Sequence, residues 1–307
     1  MKAITVPLAA AGLGAAAVAY SALYEVRAFT LRKIKVPVLP AGAEPIKVLH
    51  LSDTHMTPSQ HRKQSWLSDL AGLEPDLVVN TGDNLAHLDA LPSVLRAYGD
   101  LLDLPGVFVF GSNDYFSPRG KNPVHYLTGG TGVHKTGAWE RTKDLPFEDM
   151  RRAFTARGWT DLTNRHASVE VAGRRLAFVG VDDPHLGYDE LDDVPADPTA
   201  DLAVGVAHAP YLRVLDRWNA LGYPLLLAGH THGGQLRIPF YGALVTNCDL
   251  DRQRARGLHT HRTEGHEPSW MHVSGGLGTS PYAPLRFACR PEATLLTLTG
   301  IESAGLP

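Results

Sequence analysis

Short apolar runs recur along the chain from residue 46 onward, and polar segments with glycine and proline separate them. A short apolar run bounded by turn-forming residues is typical of a buried strand. The predicted strands are Ile46 to Leu51, Leu77 to Val79, Val107 to Phe110, Ser168 to Val171, Leu176 to Val181, Leu202 to Val206, Leu225 to Ala228, Met271 to Ser274 and Ala293 to Leu298. Ala172 and Gly173, between two of these runs, predict a hairpin turn.

Helix-like stretches lie between several of the predicted strands. They are Gln60 to Leu73, Leu91 to Leu102, Phe147 to Arg157 and Tyr211 to Leu221. Strands that alternate with helices favour parallel pairing, with the helices covering the sheet. The hairpin and the strand-rich C-terminal part add antiparallel pairing, so the pattern predicts an α/β protein with mixed sheets.

Three segments fit neither element. Pro37 to Pro45 is interpreted as a linker because its prolines and glycine interrupt regular structure. Asp251 to Pro268 is a polar stretch with several arginines. Ser117 to Pro146 is long and rich in Gly, Pro and Thr, which is typical of a lid, a binding loop or a disordered loop. Its basic and aromatic residues suit a phosphorylated, partly apolar substrate, and a solvated disordered loop is equally consistent.

The N-terminal segment from Ile4 to Tyr24 contains 21 residues without a charge. As a helix it would be about 31 Å long at ~1.5 Å per residue, enough to cross a bilayer core. We therefore expect a single membrane anchor. Ala17-Val18-Ala19 also matches a signal-peptide cleavage site, and a soluble or interfacial helix is the third alternative.

Basic residues flank both ends of this segment, with more of them on its C-terminal side: Lys2 precedes it, and Arg27, Arg32, Lys33 and Lys35 follow it. The positive-inside tendency thus favours a cytoplasmic catalytic domain, although an exported form stays open. We predict an anchor or signal segment with its linker at residues 1–35. The catalytic domain would span residues 36–307, with a lid-like insertion at residues 117–146.

Composition narrows the chemistry that this chain can perform. The 307 residues carry a net charge of −3, without the basic field that nucleic-acid binding requires. Cys248 and Cys289 are too few for a disulfide framework or a thiolate metal site, and either two buried thiols or one bridge would fit. A metal ion in this protein must therefore be bound by His, Asp and Asn.

Polar residues of these types follow five of the predicted strands. The most distinctive run is Gly229-His230-Thr231-His232-Gly233-Gly234-Gln235. The others supply Asp53, His55, Asp83, Asn113, Asp114 and His208. Each residue alone is usually a turn, cap or core residue. However, sites form where the carboxyl ends of strands meet, so the coincidence at five strand ends predicts one shared site.

The set suffices for two adjacent metal ions. Asp53, His55 and His232 would hold one ion, Asn113, His208 and His230 the other, and Asp83 would bridge both. Two divalent ions about 3.5–4 Å apart can activate a bridging hydroxide for attack on phosphorus. Mixed imidazole, carboxylate and amide ligands suit Mn, Fe or Zn. Asp182 and Asp183 follow another strand and are interpreted as turn residues or as residues that orient a ligand histidine.

The order of these motifs resembles the calcineurin-like metallophosphoesterase superfamily. The matching motifs are Asp53-x-His55, Gly82-Asp83-Asn84, Gly111-Ser112-Asn113-Asp114, His208-x-Pro210 and Gly229 to Gln235. The last motif and the N-terminal segment are similar to the bacterial membrane-associated branch, which includes UDP-2,3-diacylglucosamine pyrophosphatase-like enzymes. The resemblance spans about Ile46 to Leu298. It implies a four-layer α/β/β/α sandwich of two mixed sheets, with the dimetal centre at the sheet edges and the ligand set given above.

The chain departs from the family pattern in two places. The family usually has Gly-Asn-His-Asp where this chain has Gly111-Ser112-Asn113-Asp114, so the histidine thought to protonate the leaving group is absent. Asn113 is the preferred metal ligand and Ser112 the alternative, since an amide oxygen is the better ligand. Asp114 is then the catalytic candidate. Gly275 stands where relatives often have arginine.

Asp114 would need a raised pKa to act as an acid, which nearby cations oppose. Water or His125 of the insertion are therefore alternative proton donors. We predict a membrane-anchored dimetal hydrolase that cleaves a phosphodiester, pyrophosphate or phosphomonoester bond of a lipid-linked or cell-envelope substrate. The alternative is a non-enzymatic scaffold that retains the fold.

Overall fold

A computed structural model describes residue 12 and residues 14–120, 141–238 and 240–301. These residues form strands and helices in the alternation that the sequence predicts. The strands are β1 (Thr30–Leu39), β2 (Ile46–Leu51), β3 (Leu77–Asn80), β4 (Gly106–Phe108), β5 (Thr160–Asp161), β6 (Arg165–Val171), β7 (Arg174–Gly180), β8 (Leu202–Val206), β9 (Leu225–Ala228), β10 (Arg237–Ile238), β11 (Gly242–Ala243), β12 (Gly257–His261), β13 (Ser269–Val273) and β14 (Glu292–Gly300). The helices are α1 (His61–Ser68), α2 (Leu91–Tyr98), α3 (Ser112–Tyr115), α4 (Phe147–Ala156) and α5 (Leu212–Ala220).

Shorter helical turns extend or connect these elements. A 3₁₀ turn follows α1 (Asp69–Leu73), another follows α2 (Gly99–Asp103), and a third follows β9 (His232–Gly234). At the N-terminal end, residues 14–19 are α-helical, Tyr20–Tyr24 form a π-helical turn and Glu25–Arg27 a 3₁₀ turn. We refer to residues 14–27 as the N-terminal helical segment.

Two six-stranded mixed sheets form the centre of the described structure. Sheet one has the order β1-β14-β2-β3-β4-β5, and sheet two has the order β12-β13-β9-β8-β7-β6. β2, β3, β4 and β5 run parallel in sheet one, as do β7, β8, β9 and β13 in sheet two. β14 is antiparallel to β2, and two hairpin-type pairs, β6 with β7 and β12 with β13, add antiparallel neighbours. The prediction of mixed sheets is therefore confirmed.

Side chains alternate between the two faces of each sheet, and both faces are packed against other elements. Val48 and Val79 of sheet one pack with Leu202 and Leu227 of sheet two in one core between the sheets. The opposite face of sheet one is covered by α1, α2 and α4 through Leu67, Val94 and Phe154, among others. Trp218 and Val214 of α5 cover the outer face of sheet two. The layers thus follow one another as helix, sheet, sheet, helix.

The N-terminal side of the catalytic domain differs from the prediction. The interpretation of residues 37–45 as a linker was wrong for residues 37–39, because β1 continues through Pro37 to Leu39. β1 lies at the edge of sheet one, where a proline can be accommodated because its missing N–H would face away from the neighbouring strand. The boundary predicted between residues 35 and 36 falls inside this strand.

Two further expectations concern segments that are only partly described. The predicted anchor, from Ile4 to Tyr24, includes residues 4–11 and 13, which lie outside the described residues. Among the residues that are described, no helix combines the length and the apolar character needed to cross a membrane. Of the predicted insertion, residues 121–140 and therefore His125 also lie outside the described part. The two ends of the insertion are joined by a hydrogen bond in which the backbone N–H of Ser117 donates to Asp144 at 2.7 Å.

Candidate metal centre

The loops after β2, β3, β8 and β9 bring most of the predicted ligands to one edge of the two sheets. Glycine is required where these loops meet. A Cβ on Gly229 would lie 1.8 Å from the Ser52 hydroxyl oxygen, and one on Gly111 would lie 2.4 Å from Oδ1 of Asp83. Any larger residue at either position would push the loops apart.

Four of the predicted ligands form a compact group, in which three are buried and His232 is partly exposed. Ligand atoms of Asp53, His55, Asp83 and His232 all lie within 4.8 Å of one another. Nε2 of His55 is 3.1 Å from Nε2 of His232 and 3.5 Å from Oδ2 of Asp83. Nε2 of His232 is 3.4 Å from Oδ1 of Asp53. These atoms converge as the ligands of a single ion would.

The remaining predicted ligands gather on the other side of Asp83. Nε2 of His208 is 3.6 Å from Oδ1 of Asp83 and 3.2 Å from Nδ1 of His230. The side-chain amide of Asn113 donates to Oδ2 of Asp83 at 2.7 Å. Asp83 therefore stands between the two groups, where a bridging carboxylate is expected.

Outer hydrogen bonds orient three of the histidines. Nδ1 of His208 is 2.7 Å from the carbonyl of Thr81, and Nδ1 of His232 is 2.9 Å from the carbonyl of Gly278. Nε2 of His230 is 3.2 Å from the carbonyl of Asn247. Because each carbonyl accepts the ring proton, the other ring nitrogen presents its lone pair to the site.

The contacts around α3 favour Asn113 over Ser112 as the residue nearest the site. Both the backbone N–H and the side-chain amide of Asn113 donate to Asp83, at 2.7 Å each. Ser112 Oγ instead lies 3.4 Å from the Asn113 amide nitrogen. A half-turn of that amide would offer its oxygen in place of its nitrogen, as metal binding requires.

Asp114 has the raised pKa that its predicted role as an acid requires, because burial and the neighbouring Asp83 carboxylate raise the pKa of Asp114 to about 7. Its fully buried carboxylate accepts backbone N–H bonds from Gly111, Asp83 and Asn84, at 2.7 to 2.9 Å. Both oxygens are therefore engaged in holding the loops after β3 and β4 together. These contacts let Asp114 hold the two loops in place, and its exchange of protons with a substrate stays a prediction.

Burial sets the charge of the site. Desolvation lowers the pKa of His55 and His230 well below the usual value and that of His232 to about 3, so these imidazoles are neutral, as metal ligands must be. Burial also acts to lower the pKa of His208, but Asp83, Asp183 and Asp53 raise it to about 9. Without a metal ion, a proton on His208 thus partly offsets the clustered carboxylates.

The donor set fits a divalent cation. Within the described residues, Oδ1 of Asp53 and Nδ1 of His55 are buried atoms without a hydrogen-bond partner, and a buried polar atom without one is costly. Oδ1 of Asp53 faces the His232 ring, where a cation would satisfy it. Neutral imidazoles and carboxylates without thiolates suit Mn, Fe or Zn.

Three residues near the centre lie outside the predicted ligand set, and the sequence suggested only Asp183 among them as a residue that could orient a ligand histidine. Arg286 is fully buried and donates to the carbonyl of Gly278, which also faces Nδ1 of His232. The His185 ring lies 4.5 Å from the His230 ring, and its backbone N–H donates to buried Asp183. Asp183 and His185 follow β7, so a sixth strand end was the available signal. Arg286 lies in a loop far from the motifs and carried no such signal.

The other departure from the family pattern has a steric cause. A Cβ on Gly275 would lie 2.8 Å from Oε1 of Glu292, a buried carboxylate that pairs with Arg32 at 3.0 Å. An arginine cannot occupy this position without displacing Glu292. Arg286 instead supplies the buried guanidinium beside His232, with Nη2 3.3 Å from Nδ1.

The two cysteines are both free and buried. Of the alternatives left open by the sequence, two buried thiols is therefore the correct one. Sγ of Cys289 lies 3.2 Å from the carbonyl of His232, so this thiol packs behind the metal centre.

A cavity of about 430 Å³ lies beside the centre, between the N-terminal helical segment and α1. Arg27 and Arg62 give its wall positive charge, and Val26 and Phe29 give it apolar surface. Gly278 also lines it and is the residue whose carbonyl faces His232. The cavity therefore adjoins the loop that holds a candidate ligand.

Comparisons with known proteins agree with this geometry. A family model described as calcineurin-like phosphoesterase matches residues 46–234, a range that contains all seven candidate ligands. The chain is 26% identical over 279 residues to the uncharacterized metallophosphoesterase YkuE of Bacillus subtilis (strain 168), covering 88% of this chain and 84% of that protein. It is also 26% identical over 279 residues to the phosphodiesterase YaeI of Escherichia coli (strain K12), covering 88% of both. The solved structure of TT1561 of Thermus thermophilus matches with a TM-score of 0.41 and 12% identity, over 76% of this chain and 91% of that chain.

Proposed function

We propose a substrate for this chain, which belongs to the calcineurin-like phosphoesterase family and is a metal-dependent phosphoesterase. The proposal is that it hydrolyses a phosphodiester, pyrophosphate or phosphomonoester bond of a lipid-linked or cell-envelope substrate. The observation that carries the proposal is the convergence of imidazole rings on both sides of the Asp83 carboxylate. Such a cluster is built for divalent ions rather than for an organic cofactor.

We propose that Asp53, His55 and His232 hold one divalent ion, that Asn113, His208 and His230 hold a second, and that Asp83 contacts both. Mn, Fe and Zn each suit these ligands. When bound, such ions polarise phosphoryl oxygens and lower the pKa of a coordinated water. The chain itself fixes the imidazole rings through Thr81, Gly278 and Asn247, and it shields the site from bulk water by burying five of the seven ligands.

We propose that His208 and His230 help to stabilise negative charge on the phosphoryl group through the ion that they would hold. Their ring nitrogens lie 3.2 Å apart beside Asp83, and each has its outer ring nitrogen anchored to a carbonyl. We propose that Asp114, whose pKa burial raises to about 7, protonates the leaving group, with water or His125 of the insertion as the alternative donors.

We further propose that the N-terminal segment keeps the enzyme at a membrane, with the catalytic domain on the cytoplasmic side. The uncharged stretch from Ile4 to Tyr24 supports this, and so does the excess of basic residues after it. The cavity lined by Arg27 and Arg62 suits a substrate that is anionic and partly apolar. The resemblance to UDP-2,3-diacylglucosamine pyrophosphatase-like enzymes stays a prediction.

The test is hydrolysis of bis(p-nitrophenyl) phosphate and p-nitrophenyl phosphate by the full chain with added Mn²⁺. We expect turnover that a chelator abolishes and that Asp83→Ala reduces by more than about 100-fold, because a ligand to both ions matters more than an outer-shell contact. Asp89→Ala is the matched control, since the Asp89 side chain is 84% exposed on the same loop, and it should retain activity.

Two results would contradict the proposal. One is the absence of metal-dependent turnover of either substrate, which would favour the scaffold alternative suggested by the altered Gly111 to Asp114 motif. The other is full activity in the Asp83→Ala variant. Binding of two equivalents of Mn²⁺ by the parent chain, measured by calorimetry, would separate two ions from one.

A further inference from the structure

Exposed apolar side chains are concentrated in one part of the molecule. Among the described residues, nine of the eleven large apolar side chains that are exposed belong to residues 18–24, residues 236–241 or Tyr282. Phe240 is fully exposed, Leu23 is 64% exposed and Tyr282 is 62% exposed. Single exposed apolar residues are ordinary, but a cluster of this size marks an interaction surface.

Direct contacts join these segments into one surface. The Tyr20 ring packs edge-on against Phe287 with ring centroids 6.3 Å apart, and the backbone N–H of Arg286 donates to the carbonyl of Ser21. Leu236 forms a strand-like bridge with Phe287. The side chain of Gln235 donates to the carbonyl of Ala283 at 2.7 Å, one residue from Tyr282. We call the surface made by Tyr20, Leu23, Tyr24, Leu236, Ile238, Phe240, Tyr241 and Tyr282 the apolar face.

The polar chemistry of the apolar face points to lipid rather than protein. Residues 18–24, 236–241 and 280–287 contain no acidic residue. Four of the eight residues of the face are tyrosines, a residue type enriched at membrane–water interfaces. Arg252 donates to the Tyr241 hydroxyl at 2.7 Å and places a cation at the rim, where it would meet an anionic headgroup.

We propose that the apolar face rests on a lipid bilayer that contains anionic headgroups. Residues 18–24 of the face are continuous with the uncharged stretch that begins at Ile4, so a bilayer that receives this stretch would lie directly beside the face. β10 and β11, with Ile238 and Phe240, then form a second contact point on the catalytic domain itself. Two contact points fix the orientation of the domain, which a single flexible tether does not.

This orientation would place the metal centre close to the lipid surface. Only Gln235 separates the 3₁₀ turn His232–Gly234 from Leu236 of the face. Gly278, whose carbonyl faces His232, lies four residues before Tyr282. The proposal concerns membrane contact alone and holds whether or not the centre hydrolyses phosphoesters.

The test places a fluorescent probe on the face of the full-length protein. Phe240→Cys is labelled with an environment-sensitive dye, and the parent chain controls for labelling, since Cys248 and Cys289 are both buried. The labelled protein is reconstituted into vesicles of phosphatidylethanolamine and phosphatidylglycerol, with and without spin-labelled lipid. Val194→Cys is the matched control, because Val194 is a 46% exposed apolar residue outside the face.

We expect the dye at position 240 to shift to the blue and to be quenched by spin-labelled lipid at least about twofold more than the dye at position 194. Equal quenching at the two positions would overturn the proposal. A blue shift at position 240 that needs no vesicles and rises with protein concentration would also overturn it, since a second copy of the chain would then cover the face. If Phe240→Cys does not fold, Tyr282→Cys provides the same comparison.

Discussion

Five of the seven candidate ligands have backbone angles that residues other than glycine rarely adopt. Asp53, His55, Asp83, His230 and His232 all have positive φ, between 42° and 68°. Such a conformation costs on the order of 1 kcal/mol or more for each residue. The strain is concentrated where the strand ends turn into the site. It directs these side chains to a common point, and binding of a cation there would offset it.

Arg286 is the residue outside the ligand set whose replacement should affect the metal centre most. Its guanidinium donates to the carbonyls of Gly275, Gly276 and Gly278, and Gly278 orients His232. Arg286→Met should weaken Mn²⁺ binding by roughly 10- to 100-fold, as loss of an outer-shell partner does. Calorimetric titration measures this, and activity should recover at saturating Mn²⁺.

Arg96→Met serves as the control for loss of an arginine, because Arg96 lies on α2 away from the centre and bonds Ser93. Unchanged Mn²⁺ affinity in Arg286→Met, together with a lower melting temperature, would assign Arg286 a purely structural role.

In the sequence, a site residue can be identified by the apolar strand that precedes it. Asp53, Asp83, His208 and His230 each come within a few residues of a clear apolar run, and the structure brings them together. Arg286 could not be identified in this way, since its position depends on the packing of a loop between β13 and β14. Asp114 follows a strand as well, but its orientation toward three backbone N–H groups depends on the loop geometry.

Among the elements, β14 connects the edge strand β1 to the rest of sheet one. It lies between β1 and β2, parallel to the first and antiparallel to the second. Leu296, in its middle, is fully buried in the core between the sheets. The packing of this one strand therefore supports both sheets.

We expect Leu296→Ala to lower the free energy of unfolding by about 2–5 kcal/mol, because the cavity left in a core of β-strands closes poorly. Leu88→Ala, at a 57% exposed position, should change it by less than about 0.5 kcal/mol. Urea denaturation of both variants provides the comparison. A loss below about 1 kcal/mol for Leu296→Ala would contradict the packing described here.

The elements were largely predictable because apolar runs report burial directly. β2, β8 and β9 have the predicted bounds, and the predicted helices end within a few residues of α4 and α5. β1 (Thr30–Leu39) was not predicted at all, and its last residues were interpreted as a linker because of their prolines, whereas an edge strand tolerates proline. β12 was missed because its residues are mostly polar and it pairs at the edge of sheet two.

At the scale of the whole molecule, a pair of buried histidines connects the two sheets. Nδ1 of His50 on β2 lies 2.9 Å from Nδ1 of His272 on β13. Both side chains are fully buried, and burial lowers the pKa of His50 to about 3. Each ring is therefore neutral in the folded protein at ordinary pH.

This pair should make stability depend on pH. In the unfolded chain His50 binds a proton below its usual pKa of about 6.5, whereas the folded protein does not bind it until about pH 3. The stability from His50 is thus fully present above pH 6.5 and is lost as the pH falls toward 3. One such group contributes a slope of about 1.4 kcal/mol per pH unit.

Urea denaturation of the metal-free protein between pH 7.5 and 5 measures this slope. His50→Leu should reduce the slope of the unfolding free energy against pH by ~1.4 kcal/mol per pH unit below pH 6, the contribution of one proton. A slope identical to that of the parent chain would show that His50 is not neutral in the folded state.

The position of β14 also has a consequence for the synthesis of the protein. Within the described residues β1 pairs with β14 alone, and Arg32 and Glu292 are 260 residues apart. At about 5–20 residues per second, β1 must wait roughly 10 to 50 seconds on the ribosome for its partner strand. A chain terminated before residue 292 would leave β1 without that partner. It would also expose β2, the other neighbour of β14, as an edge strand that invites aggregation. β14, the last strand of the described residues, is therefore the one that joins β1 to the rest of sheet one.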